Sequence, residues 1–81
     1  MSADVPDVVV KGETVDRLLH RGNPQDLAEF VFYLTNSKPC AILINNVAND
    51  KDVKLQKFIK RLSSKGYSVH INIGETNETN Q

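Results

Sequence analysis

Cysteine is nearly missing from this chain of 81 residues: Cys40 stands alone. A single thiol excludes a framework of internal disulfides and fits a reducing compartment. A surplus of charge is missing as well. Ten Lys and Arg balance ten Asp and Glu, so overall charge supplies no general attraction to nucleic acid or to an anionic membrane. No segment approaches the roughly 18 apolar residues that a membrane-spanning helix requires. The opening stretch MSADVPDVVV has no basic region ahead of an apolar run, so it does not read as a signal peptide. Together these absences point to the cytoplasm and away from the membrane.

Signatures of chemistry are equally sparse. Lys11-Gly12-Glu13-Thr14 lacks the spacing of a phosphate-binding loop. Zinc wants three or four N, S or O ligands at suitable spacing. The sequence offers no such cluster, so neither a metal nor another cofactor is expected. A thiolate nucleophile needs a base beside it. Cys40 begins an apolar strand while His70 alternates with core positions and faces outward. The pair therefore reads as a small buried thiol and a surface imidazole. Asp16 and His20 are four apart, which is a pair on a helix surface. Asn77-Glu78-Thr79 matches a glycosylation sequon, without physical consequence when no secretory signal precedes it. No residue is assigned a catalytic role, and the expected class is a non-enzymatic protein.

What is present is a hydrophobic pattern. Hydrophobic residues make up 40% and charged residues 25%, the balance of one folded domain. A domain this small buries a modest share of its surface and is marginal alone, so self-association is expected. The central unit runs from Pro39 to Ile73. Ala41, Ile42, Leu43 and Ile44 are a short apolar run, bounded by Lys38-Pro39 and Asn45-Asn46, as for a buried strand. Asn49 or Asp50 offers a helix cap. Leu55, Phe58, Ile59 and Leu62 then recur at helical spacing, and Gly66 closes the helix. Tyr67, Val69, Ile71 and Ile73 alternate with Ser68, His70 and Asn72, the pattern of a strand with one solvated face. Strand, helix and strand at this spacing imply a parallel pair with a right-handed crossover.

Ahead of that unit, residues 1–7 read as a loose leader. Val8, Val9 and Val10 are β-branched and favour a strand. Lys11 to Thr14 reads as a turn, with Thr14 capping a short helix whose Val15, Leu18 and Leu19 share a face. Gly22 ends it. Asn23 as cap, Pro24 at the first helical position and Asp26 in the first turn open a second helix. From Leu27 to Leu34 that helix is apolar around most of its circumference. Residues 74–81 are polar and read as a frayed tail. The expected fold is thus one small α/β domain over residues 8–73. Its order is β-α-α-β-α-β, around a three-stranded, largely parallel sheet packed with helices.

Three places invite function. Phe30, Phe32 and Tyr33 crowd an already apolar helix and mark a protein interface, including one with a second copy of the chain. The basic helix over residues 51–65 carries Lys54, Lys57, Lys60, Arg61 and Lys65, suited to nucleic acid or an acidic partner. No aromatic residues interleave with its lysines, and a solvated helix face explains the same pattern. Third, open parallel sheets bind ligands beyond the carboxyl ends of their strands. Here Lys11, Thr14, Asn45 and Asn46 would form the ligand loops, although turn and cap chemistry uses the same residue types. The leading expectation is a regulatory binding protein acting through protein contacts as a homodimer. Nucleic-acid binding comes next, and a small-ligand or enzymatic site at the strand ends third.

Overall fold

The computed structural model describes residues 6–74. The chain is an α/β domain of six elements in the order β1 (Val8–Lys11), α1 (Gly12–Arg21), α2 (Pro24–Leu34), β2 (Ala41–Val47), α3 (Val53–Ser64) and β3 (Ser68–Ile73). All three strands are parallel, in one sheet with the spatial order β1-β2-β3. Val8, Val9 and Val10 do join it, aligned with Ile42, Leu43 and Ile44.

Parallel neighbours need crossover connections, and right-handed ones step in a single direction here. They therefore lay every helix on one face of the sheet. The burial pattern agrees. Val8, Ile42 and Val69 form one aligned row, and Val10, Ile44 and Ile71 another. All six belong to the core or pack against it. The alternate rows, Val9-Leu43-His70 and Lys11-Asn45-Asn72, lie on the bare face, and none of these six takes part in the core. Leu19, Ile44, Leu55 and Leu62 are the largest fully buried side chains, each stabilising the fold by about 1.5–3 kcal/mol.

The second helix begins as its sequence implies. Asn23 Oδ1 accepts the Asp26 N–H at 2.8 Å, with Pro24 at the first position. It ends in two left-handed residues, Asn36 (φ 56°) and Ser37 (φ 60°). The Ser37 N–H donates to the Phe32 carbonyl at 2.7 Å, which satisfies one of the free carbonyls at the helix end. Ala28 and Phe32 turn inward. The Phe32 ring lies 5.5 Å from that of Tyr67, whose hydroxyl meets the Thr35 hydroxyl.

Three local expectations change. The cap of α3 is Asp52, whose Oδ1 accepts the Lys54 N–H at 2.9 Å, while Asn49 accepts the Lys51 N–H at 3.0 Å in the turn before. All three acceptors have the right chemistry, and the one adjoining the first free N–H groups serves. Thr14 caps nothing: β1 passes into α1 without a turn, and Lys11 holds the cap position with no side-chain bond. Gly12 makes this possible, since a Cβ there would stand 2.7 Å from the Asn46 carbonyl oxygen and 2.9 Å from Val47 Cα. Leu18 faces solvent instead of sharing the buried side of Val15 and Leu19. At the amino end, Asp7 is tied to Ala41, through its N–H at 2.8 Å and its carboxylate at 2.9 Å. Residues 1–5 and 75–81, with the rest of the leader, most of the tail and the sequon, lie outside the described residues.

Candidate functional site

Because the strands are parallel, their carboxyl ends meet at one edge. Lys11, Asn45, Asn46, Asn72 and Ile73 line an open cavity of about 630 Å³ there, closed by Gly12 and Glu13 at the start of α1. Asn46 sits at the irregularity that shifts the β2-β3 register between Asn45 and Val47. Its φ of 64° is left-handed, a conformation that Asn tolerates better than most residues. Asn72 Nδ2 donates to Asn45 Oδ1 at 2.9 Å. The cavity thus offers amide donors and acceptors with one ammonium group and the Glu13 carboxylate, which suits hydrogen bonding to a polar molecule. Of the residues expected here, Lys11, Asn45 and Asn46 come together. Thr14 does not join them, because the helix already starts at Gly12 and carries Thr14 away. Asn72 was missing from that set, although the alternation of 67–73 already placed it on the outer face near the strand end.

The basic helix is less free than its sequence suggests. Lys54 Nζ donates to the Leu19 carbonyl at 3.1 Å, at the end of α1. Arg61 Nη2 donates to Glu29 at 3.1 Å, and its guanidinium lies 5.9 Å from the Phe32 ring centroid. Arg61 Nε is buried without a partner among the described residues. Both side chains therefore hold α3 to its neighbours. Lys51, Lys57, Lys60 and Lys65 are exposed and form no ion pair among the described residues. Lys51, Lys57 and Lys60 border a shallow depression floored by Val53 and Ile59.

The apolar helix divides its aromatic residues. Phe30 is 54% exposed and Tyr33 78%, whereas Phe32 is 7% exposed and sits in the core. Leu34, at 61% exposure, takes the place on the surface expected of Phe32. Positions 30 and 34 are neighbours on one flank by helical spacing. Glu29 and Phe32 lie toward α3, where Arg61 meets both, so Phe30 and Leu34 occupy the flank turned away from α3. Helical spacing alone could have paired Leu34 with Phe30. It could not say which arc of an all-apolar helix is inward.

Cys40 is half-buried. Burial, and secondarily the charge of Asp7, push its thiol up from the ordinary value, so it is held protonated. His70 aligns with Leu43 on the bare face, where its Nε2 lies 3.4 Å from the Ser68 hydroxyl. It does not face Cys40. Among the described residues no group of three His, Cys, Asp or Glu could hold a metal ion, and no helix is long and apolar enough to cross a membrane. The chain has no significant match to a protein-family model, to a curated protein or to a solved structure.

Proposed function

We propose that this chain is a non-enzymatic regulatory or binding domain that works through protein contacts, as a homodimer. The observation that carries the reading is the exposure of Phe30, Tyr33 and Leu34 on a single helix. Large apolar side chains grouped on the surface of so small a domain mark an association surface. The strand-end cavity gathers the amides of Asn45, Asn46 and Asn72 beside the Lys11 ammonium and the Glu13 carboxylate, groups that can hydrogen-bond a polar ligand. The raised thiol of Cys40 disfavours a nucleophile. A single free cysteine supports a cytoplasmic setting.

Sedimentation velocity on the full chain tests this reading. The untreated protein should sediment as a dimer at micromolar concentration. Phe30→Ser with Leu34→Ser should sediment as a monomer with an unchanged circular dichroism spectrum. A wild-type chain that stays monomeric at every concentration would overturn self-association.

A second reading, nucleic-acid binding, rests on the four lysines around α3 that form no ion pair among the described residues. Each phosphate contact would steepen the salt dependence by about one unit of slope. Lys57→Glu with Lys60→Glu should then flatten that slope. Unchanged affinity in such a variant removes the basis for this reading.

A further inference from the structure

The depression along α3 combines two features that a solvated helix face does not need together. Its floor is aliphatic, with Val53 65% exposed and Ile59 beside it. Its rim is cationic, with Lys51, Lys57 and Lys60, and among the described residues no carboxylate lines it. Lys57 also borders the start of α2, where Asp26 stands. Lys51 and Lys60 therefore supply the charge least shared with the rest of the fold. The Gln56 side chain is drawn toward the preceding turn by a bond from its amide to the Asp50 carbonyl. The open volume is about 430 Å³, room for one large side chain.

We propose that this depression binds an acidic peptide segment of another protein. One aliphatic or aromatic side chain of the segment rests on Val53 and Ile59, and carboxylates on either side of it meet Lys51 and Lys60. This adds a second contact surface to the protein-binding reading above and does not depend on self-association. Charge complementarity orients the segment and speeds its encounter, while the apolar seat selects the residue between the charges. The lysine stems widen that seat, since their methylenes lie along apolar surface while the ammonium groups stay in water. From Val53 to Lys60 the helix rises about 10 Å, which an extended peptide covers in about three residues. Anchor and flanking acids thus belong to one short segment.

Other anionic occupants fit the surface less well. A phosphate backbone would meet the lysines but leave the aliphatic floor unused, and bases stack on aromatic rings or guanidinium planes, neither of which lines the depression. A helix that lies in a lipid surface buries a broad apolar face. The broad apolar face of α3, with Leu55, Phe58 and Leu62, is already in the core. Residues 75–81 of this chain contain Glu75 and Glu78 but no apolar residue, so they lack the anchor.

The test is fluorescence polarisation on the full chain. The probe is a fluorescein-labelled peptide with one leucine between two pairs of glutamates. It should bind saturably. Lys51→Glu with Lys60→Glu should weaken binding about tenfold, and Val53→Ser about threefold. All three positions are exposed, so the circular dichroism spectrum should not change. Replacing the probe's leucine by serine should cost the parent protein about the same threefold and cost Val53→Ser nothing further, because the two changes remove one contact. Phe30→Ser with Leu34→Ser should leave the affinity unchanged, which separates this surface from the dimer surface. Absence of saturable binding would overturn the proposal. So would binding that falls with the lysines but ignores both Val53 and the leucine, the behaviour of unspecific charge attraction. An oligothymidine or phosphatidylserine vesicles that bind and lose affinity in Val53→Ser, where the peptide does not, would assign the depression to nucleic acid or to lipid instead.

Discussion

Gly12→Ala is expected to lower stability, against the usual rule for a helical glycine. Where a helical position is open, Gly→Ala stabilises by about 0.4–1 kcal/mol, because the unfolded chain has less freedom to lose. At Gly12 the added methyl would meet the Asn46 carbonyl oxygen at 2.7 Å and Val47 Cα at 2.9 Å. Both atoms are backbone of β2, so no change of rotamer relieves the contact. Either α1 lifts from the end of β2 or the irregularity at Asn46 flattens. Overpacking of this kind costs about 1–3 kcal/mol, which outweighs the entropic gain and leaves a net loss of about 1–2 kcal/mol. In a domain of this size that lowers Tm by about 5–15 °C, readable by circular dichroism. Gly22→Ala is the internal control. A Cβ there would find only the Leu18 carbonyl oxygen, at 3.6 Å, an ordinary contact, and its Tm should stay within a few degrees of the parent. A Gly12→Ala protein that melts at or above the parent temperature, with the control unchanged, would refute the close approach of α1 to β2.

Other substitutions separate neighbours that sequence alone treats alike. Phe32→Ala should cost about 3–5 kcal/mol as a core truncation. Phe30→Ala, measured at monomer concentration by urea melts, should stay within about 0.5 kcal/mol. Asn23→Ala removes the acceptor of the Asp26 N–H and should cost about 1 kcal/mol, again by urea melts. The raised thiol of Cys40 carries a pH dependence with a definite sign. The unfolded chain releases the proton first, so this contribution is complete below the ordinary thiol range and is lost as pH rises through the higher folded value. Stability should therefore fall more steeply above about pH 9 in the parent than in Cys40→Ser. Coincident alkaline limbs for the two proteins would show that the thiol is not held in its protonated form.

Much of the architecture is legible along the chain because local signals agree there. Asn23-Pro24-Asp26 specifies the start of α2 by cap, fixed φ and charge at once. The alternation around Val69 and Ile71 specifies both β3 and its solvated side. The parallel pairing follows from the helix between β2 and β3. Elsewhere the deciding partner is distant in sequence. Nothing near Gly12 announces that it abuts Asn46 and Val47, so the same four residues read as a turn with Thr14 as cap. Nothing near Phe32 says that Tyr67 and Arg61 will cover it. On a helix apolar all round, only those contacts decide that Phe32 goes in and Leu34 stays out. Arg61 and Lys54 read as members of a basic face until Glu29 and the Leu19 carbonyl claim them. The strand-end set was recoverable in larger part, because the ends of parallel strands must gather at one edge whatever their side chains.

The passage of β1 into α1 without a loop leaves that strand no slack. Val10 and Lys11 cannot peel from Ile44 and Asn45 unless Gly12 also withdraws from Asn46 and the first turn of α1 unwinds. Terminal edge strands ordinarily fray at almost no cost. This one is geared to a helix whose Val15 and Leu19 are buried, so strand and first turn open as a single unit. Amide protons in both should exchange with one common free energy, set by withdrawing Val15 from the core rather than by the few hydrogen bonds of a four-residue strand. Any encounter along the free edge then meets a strand held rigid from one end, already in the conformation that pairing requires.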